Sequence, residues 1–184
     1  MGRECLVKRT CPIIFGRLLR TKVRASDLAE LLYQQCVLED EPYADQHLLL
    51  GQRLDSEALR QRVFLYLVAS IILALTWKYR KDPRASGLIP HIKGRAADEA
   101  RRRWSQSEDY LVEEVDTAAI DLEHLLSTDP NENRALSFEW AQAWLAKAGH
   151  EECNPGTLFA ISFFWQNQYI ALGRMLERFR IVPD

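Results

Sequence analysis

The residues best suited to chemistry are carboxylates concentrated over 108–124, a segment with helical periodicity. Glu113, Glu114, Asp116 and Asp121 lie within nine residues, and Glu114 and Asp121 fall two turns apart on one helix face. Hard divalent cations bind several converging carboxylate oxygens. The pattern makes a divalent-metal-dependent hydrolase one hypothesis. A solvated helix face is favoured over it, because the Glu-x-x-His spacing of di-iron bundles is absent.

A basic segment over 78–104 is a second candidate, since arginines interleaved with aromatic residues suit phosphate contact and base stacking. Nucleic-acid or other anion binding is an alternative function for it, although no helix-turn-helix, zinc finger or RNA-binding signature accompanies it. Pairing with the chain's own acidic segments is favoured. Its candidate residues are Lys78, Arg80, Lys81, Arg84, Arg101, Arg102 and Arg103.

The last two predicted helices carry more aromatic surface than a small bundle needs. An exposed remainder of such surface marks a contact with a partner protein or a second copy. The leading hypothesis is therefore a helical protein-interaction or self-association module, with no evident catalytic motif, and enzymatic activity is left open. The predicted partner-binding residues are Trp140, Trp144, Phe164, Trp165 and Tyr169.

The cysteines favour free thiols over a zinc site or disulfides. Cys5 and Cys11, with His150 and Cys153, have loose spacing and would have to meet across the whole chain. No secretory leader is evident, and a chain of 184 residues can bury a core without disulfides. We therefore expect a cytoplasmic protein with no cofactor, a divalent metal being the one alternative.

Charge is sorted into blocks along the chain, although the net charge is only −2. Residues 1–24 and 60–106 are basic, whereas 25–59 and 107–152 are acidic. Such blocks indicate either that oppositely charged segments face one another in the fold or across an oligomer, or that the blocks form solvated helix faces, and neither interpretation is favoured.

The elements that must position these residues are helices. The run Val63–Trp77 has no charged residue and is too short for the ~30 Å core of a bilayer, so it predicts a buried helix over about 56–79 rather than a membrane span. The fold class is all-α, a single-domain bundle of about five helices around that helix. Residues 25–184 form the bundle, with a flexible loop at 80–95 and a break near Ser105–Ser107. Residues 1–24 form a basic arm or short helix, and the last helix reaches about Ile181.

Overall fold

Six α-helices and two short strands make up the part of the chain that the computed structural model describes, residues 20–39, 56–127, 134–150 and 153–182. The all-α class is confirmed. The first helix continues as a π-helical turn over Gln34–Leu38. The strands are β1 (Thr21–Arg24) and β2 (Phe179–Val182), and the helices are α1 (Ala25–Tyr33), α2 (Glu57–Tyr79), α3 (Leu88–Trp104), α4 (Glu108–Ser127), α5 (Arg134–Ala146) and α6 (Pro155–Leu176).

Helix α2 is the centre of the bundle, as its uninterrupted apolar run predicts. The Ser56 hydroxyl caps its first turn by accepting a hydrogen bond from the Leu59 amide, and every residue from Val63 to Leu75 is buried. The helix is long and apolar enough to cross a membrane, but 78% of its most apolar window is buried against the rest of the protein. That burial is typical of the core helix of a globular domain.

The predicted loop at 80–95 is wrong in extent, because α3 already begins at Leu88. Between α2 and α3 the chain makes only a short 3₁₀ turn over Pro83–Ala85. Pro90 does not interrupt α3, because it occupies the first turn, where its missing amide hydrogen would have no helical acceptor. Gly94 is accommodated within the helix.

The predicted break near Ser105–Ser107 is confirmed and turns one predicted helix into α3 and α4. Ser105 adopts a left-handed conformation with φ 53°, and its amide donates to the Arg101 carbonyl. The Ser107 hydroxyl then accepts from the Tyr110 amide and caps the start of α4. The split raises the helix count from about five to six.

The two strands were not predicted. Strands β1 and β2 pair in parallel, with Thr21 opposite Phe179 and Arg24 opposite Val182. The last helix therefore ends at Leu176 rather than near Ile181. Four-residue strands joined across most of the chain leave no periodic signal in either local sequence. Of the predicted arm over 1–24, residues 1–19 lie outside the described residues.

The charge blocks face one another within the fold, in agreement with the first of the two interpretations. From the basic block 60–106, Lys93 pairs with Asp116 of α4 at 2.7 Å, and Arg95 pairs with Glu30 of α1 at 3.1 Å. These two pairs join α3 to α4 and α3 to α1.

Candidate functional site

The carboxylates of α4 do not converge. Glu113 and Asp116 are exposed, Glu114 is half-buried, and Asp116 accepts a hydrogen bond from Lys93. Within the described residues, no three His, Cys, Asp or Glu side chains are grouped so that they could hold a metal ion. Of the acidic residues near position 40, Glu39 is exposed at the end of the π-helical turn, whereas Asp40, Glu41 and Asp45 lie outside the described residues.

Asp121 occupies a different environment, at the centre of a polar cluster that joins three helices. Its carboxylate accepts hydrogen bonds from the Tyr66 hydroxyl at 2.8 Å and the Lys147 ammonium at 2.9 Å. The Arg62 guanidinium lies 4.0 Å from the same carboxylate oxygen and donates to the Tyr66 hydroxyl at 3.2 Å. The backbone carbonyl of Asp121 also accepts from the Trp140 indole at 2.9 Å.

Helical spacing explains how the cluster forms. Arg62 and Tyr66 are four residues apart on α2 and therefore point to the same side. Asp121 lies one turn before the buried Leu125 of α4, at the edge of the buried stripe, where a side chain can reach both the core and solvent. Lys147 follows the end of α5, whose half-buried Trp140 packs edge-on against Tyr66. The cluster thus ties α2, α4 and α5 together.

The ionisation of the cluster is set by this geometry. Burial by itself would raise the pKa of Asp121, but the hydrogen bonds from Lys147 and Tyr66, with the charges of Lys147 and Arg62, lower it below the usual value. Burial raises the pKa of Tyr66 well above its usual value. Asp121 therefore stays ionised and Tyr66 neutral near pH 7. The lowered pKa makes the Asp121 carboxylate a poor general base, and the raised pKa makes the Tyr66 hydroxyl a poor general acid near pH 7.

A cavity of about 400 Å³ opens beside this cluster, and we call it the polar cleft. Leu65 and Ala118 give it an apolar wall, and charged and hydroxyl groups make up the rest. Its lining consists of Arg62, Leu65, Tyr66, Glu114, Thr117, Ala118, Asp121 and Lys147.

Much of the basic segment 78–104 is paired with carboxylates of the chain itself. Arg84 forms a two-point contact with Asp82, Arg101 contacts Asp98 and Glu108, and Arg102 and Arg103 both contact Glu99. Hydrogen bonds from Arg102 and Arg103 lower the pKa of Glu99. By contrast, Lys78, Arg80 and Lys81 are exposed at the end of α2, and the latter two line a further cavity of about 510 Å³.

Two of the predicted partner-binding aromatics are core residues. Trp144 and Trp165 are buried and pack against each other and against Tyr66, so they cannot contact a partner. Phe164 is half-buried and packs edge-on against Trp165. The prediction is wrong for the two buried tryptophans because aromatic residues occupy several faces of these helices, and sequence periodicity does not say which face meets the core.

Tyr169 is the predicted partner-binding residue that lines an exposed cavity. It contributes to an apolar groove of about 610 Å³, formed with Leu73, Trp77, Ile120, Glu123, His124, Leu126 and Ser127. Trp77 is 63% exposed and Ile120 is 68% exposed, although both are large apolar side chains. Helices α2, α4 and α6 each contribute residues to this groove.

An exposed apolar stripe on α6, which we call the outer stripe, was not among the predicted partner-binding residues. Phe159 and Phe163 are 55% and 54% exposed, and their rings stack 5.6 Å apart. Ile170, seven residues after Phe163, is 49% exposed on the same face. The buried residues Ile161 and Trp165 repeat the same spacing on the opposite face. The sequence contained a signal for this stripe, because apolar residues occupy two faces of one helix and only one face can meet the core.

The proposed thiolate set remains untested, since Cys5 and Cys11 lie outside the described residues. Cys153 is half-buried and burial raises the pKa of its thiol, while Cys36 is buried in the core. A raised thiol pKa disfavours the thiolate form that metals and electrophiles require.

Comparison with known proteins gives no relative: no family model, no curated protein and no solved structure matches this chain. Its function must therefore be inferred from the surfaces described above, the polar cleft, the apolar groove and the outer stripe.

Proposed function

We propose that this protein is a self-association module that forms a homo-oligomer through the outer stripe of α6. The observation that supports the proposal is the exposure of Phe159, Phe163 and Ile170, about half of each side chain, on the face of α6 opposite the core. Water-exposed aromatic pairs on a helix that already buries its other side are typical of a contact surface.

A second copy is the partner that the charge pattern favours. From Pro155 to Gly173 the helix carries no charged residue, so two copies can lie face to face without opposing like charges. A two-fold interface requires a surface that is complementary to itself, and an uncharged stripe of stacked aromatic rings meets that condition. A partner with its own charge pattern would find no ionic contact along this face.

The area of the stripe is compatible with a stable contact core. Half of a large apolar side chain amounts to roughly 100 Å², so the three side chains supply about 300 Å² per copy. A standard interface buries ~800 Å² per partner, the rest being polar rim. Tyr169 is adjacent to Ile170 and lines the apolar groove, so the groove can extend the same surface.

The test is the mass of the protein in solution as a function of concentration. We expect the wild type to sediment as a dimer or larger homo-oligomer at micromolar concentration. Phe163→Asp should sediment as a monomer, because an aspartate from each copy would place two negative charges in the apolar interface. Tyr110→Asp is the matched control, since Tyr110 is an exposed aromatic residue of α4 outside the groove and the outer stripe. It should leave the oligomer intact.

A wild-type monomer up to 100 µM, or an oligomer that Phe163→Asp leaves unchanged, would refute the proposal. Circular dichroism of both variants shows whether the helices are retained. The hydrolase and nucleic-acid hypotheses stay predictions with less support, because Asp116, Asp121 and Arg101–Arg103 pair with groups of the same chain.

A further inference from the structure

The polar cleft contains one cation and one anion whose binding capacity the described residues leave largely unused. They are the Arg62 guanidinium on α2 and the Glu114 carboxylate on α4, which line the same cavity. The other charges in the cleft, Lys147 and Asp121, are paired with each other at 2.9 Å.

Arg62 is held in place but uses few of its hydrogen-bond donors. Its side chain is 12% exposed, and its guanidinium lies 5.1 Å from the centre of the Tyr66 ring and 5.8 Å from that of Trp144. A guanidinium carries several N–H donors in a planar fork that matches a carboxylate. Among the described residues, Arg62 donates one hydrogen bond, to the Tyr66 hydroxyl, and the Asp121 carboxylate lies at 4.0 Å. A nearly buried cation with unused donors is costly unless something else binds it.

Glu114 is the complementary group. It is half-buried on the rim, and within the described part of the chain no cation pairs with it. Glu114 and Asp121 share one face of α4, because they are seven residues apart. The cleft therefore presents unused donors and an unused acceptor in one cavity, whose lining also includes the Leu65, Ala118 and Thr117 side chains.

We propose that the polar cleft binds a small zwitterion of the free α-amino acid class. The ligand carboxylate contacts Arg62, its ammonium contacts Glu114, and its side chain lies on the wall formed by Leu65 and Ala118. A cavity of about 400 Å³ is at the small end of the range for ligand pockets. A simple anion would be repelled by Glu114 and Asp121, and a simple cation by Arg62 and Lys147, whereas a zwitterion satisfies both.

Isothermal titration calorimetry with free L-alanine, L-leucine and L-glutamine tests the proposal. Each is compared with its N-acetyl derivative, which lacks the ammonium, and its amide, which lacks the carboxylate. We expect at least one free amino acid to bind, and both blocked forms to bind at least about ten-fold more weakly, because each loses a charge-assisted contact. No binding by any of the three at 10 mM, or equal binding of the blocked forms, would overturn the proposal.

Two variants assign the contacts. Glu114→Gln should weaken the free amino acid about ten-fold and leave the amide-versus-free difference in place, while Glu113→Gln, at the exposed neighbouring position, should change nothing. Arg62→Lys keeps the positive charge, so that folding is retained, but loses the planar fork and should reduce the preference for a free carboxylate. The result is independent of self-association, since Phe163→Asp should bind the amino acid as the wild type does.

Discussion

Two consecutive residues of α4, Ile120 and Asp121, belong to two surfaces with opposite properties. Ile120 is exposed at the apolar groove, whereas Asp121 lies in the polar cleft, where it accepts hydrogen bonds from two side chains. Adjacent positions differ by about 100° around a helix, so one element can serve two surfaces. In the cleft the protein supplies partners for the polar group, while in the groove it leaves an apolar group in water.

This difference separates stability from recognition. The partners of Asp121 lie on α2, on α5 or directly after α5, so the residue contributes to the packing of α2, α4 and α5. Ile120 and Trp77 contribute little to that packing because more than half of each side chain is exposed. Large apolar side chains that are exposed in this way are better explained by an external contact than by the fold. A substitution of Asp121 should therefore lower the free energy of unfolding, whereas a substitution of Ile120 should weaken the contact with a second copy.

The largest expected effect is on stability, from Asp121→Asn. The substitution removes the charge that Lys147 and Arg62 face and weakens the acceptor of the Tyr66 hydroxyl. We expect the free energy of unfolding to fall by about 2 kcal/mol, measured by urea denaturation. Asp116→Asn is the matched control on the same helix. Its exposed pair with Lys93 should contribute at most about 0.5 kcal/mol. Equal losses would show that the cleft has no special structural role.

The same cluster predicts a pH dependence. The pKa of Asp121 is lower in the folded state than in the unfolded chain, so its stabilisation is present above the unfolded value of about 4 and is lost as pH falls through the folded value. Wild-type stability should therefore drop more steeply below about pH 4 than that of Asp121→Asn. Parallel curves for the two proteins would contradict the arrangement. Glu30, whose pKa is lowered by hydrogen bonds from Gln34 and Arg95 and by the Arg95 charge, contributes equally to both.

The third prediction concerns Ile120→Ser in the apolar groove. We expect a change of no more than about 0.5 kcal/mol in the free energy of unfolding, because the side chain is mostly exposed. If the groove extends the interface of the outer stripe, the dissociation constant of the oligomer should rise several-fold, up to about ten-fold. Analytical ultracentrifugation measures it. Tyr110→Ser, on the same helix, serves as the control. A loss of stability as large as that of Asp121→Asn would remove the distinction between the two surfaces.

A feature could be predicted from the sequence when it depends on residues that are neighbours along the chain. The run Val63–Trp77 and the cap at Ser56 depend on neighbouring residues, so the central helix could be predicted with nearly correct ends. The burial of Trp165 and the exposure of Phe163 depend on which side of α6 meets α2, and both faces of that helix are apolar. Pro90 led to the prediction of a loop. From sequence, a proline in the first turn of a helix looks the same as a proline in a loop when the N-cap residue is weak, as Gly87 is here.

The polar cleft could not be predicted, because its parts are far apart along the chain. Asp121 was recognised as a carboxylate of interest, but its partners Tyr66 and Lys147 lie 55 and 26 residues away. Nothing in the sequence around Tyr66 distinguishes it from a core aromatic residue. A hydrogen-bond network between helices is a property of their packing, and only the folded arrangement reveals it.

The smallest predicted effect tests whether the two surfaces differ locally or through the placement of α4 as a whole. Ser105 holds the joint between α3 and α4 in a left-handed conformation that glycine adopts at no steric cost. Ser105→Gly should raise the free energy of unfolding by about 0.5 kcal/mol. Ser107→Gly, two residues later, should lower it by a few tenths of a kcal/mol, because it removes the cap on the Tyr110 amide. Urea denaturation should show the opposite signs, with oligomer mass unchanged in both variants. Ser105→Gly could instead alter the oligomer as strongly as Ile120→Ser does. The exposure of Ile120 would then depend on how the joint orients α4, and the contrast between Ile120 and Asp121 would result from the placement of the whole helix rather than from its two side chains.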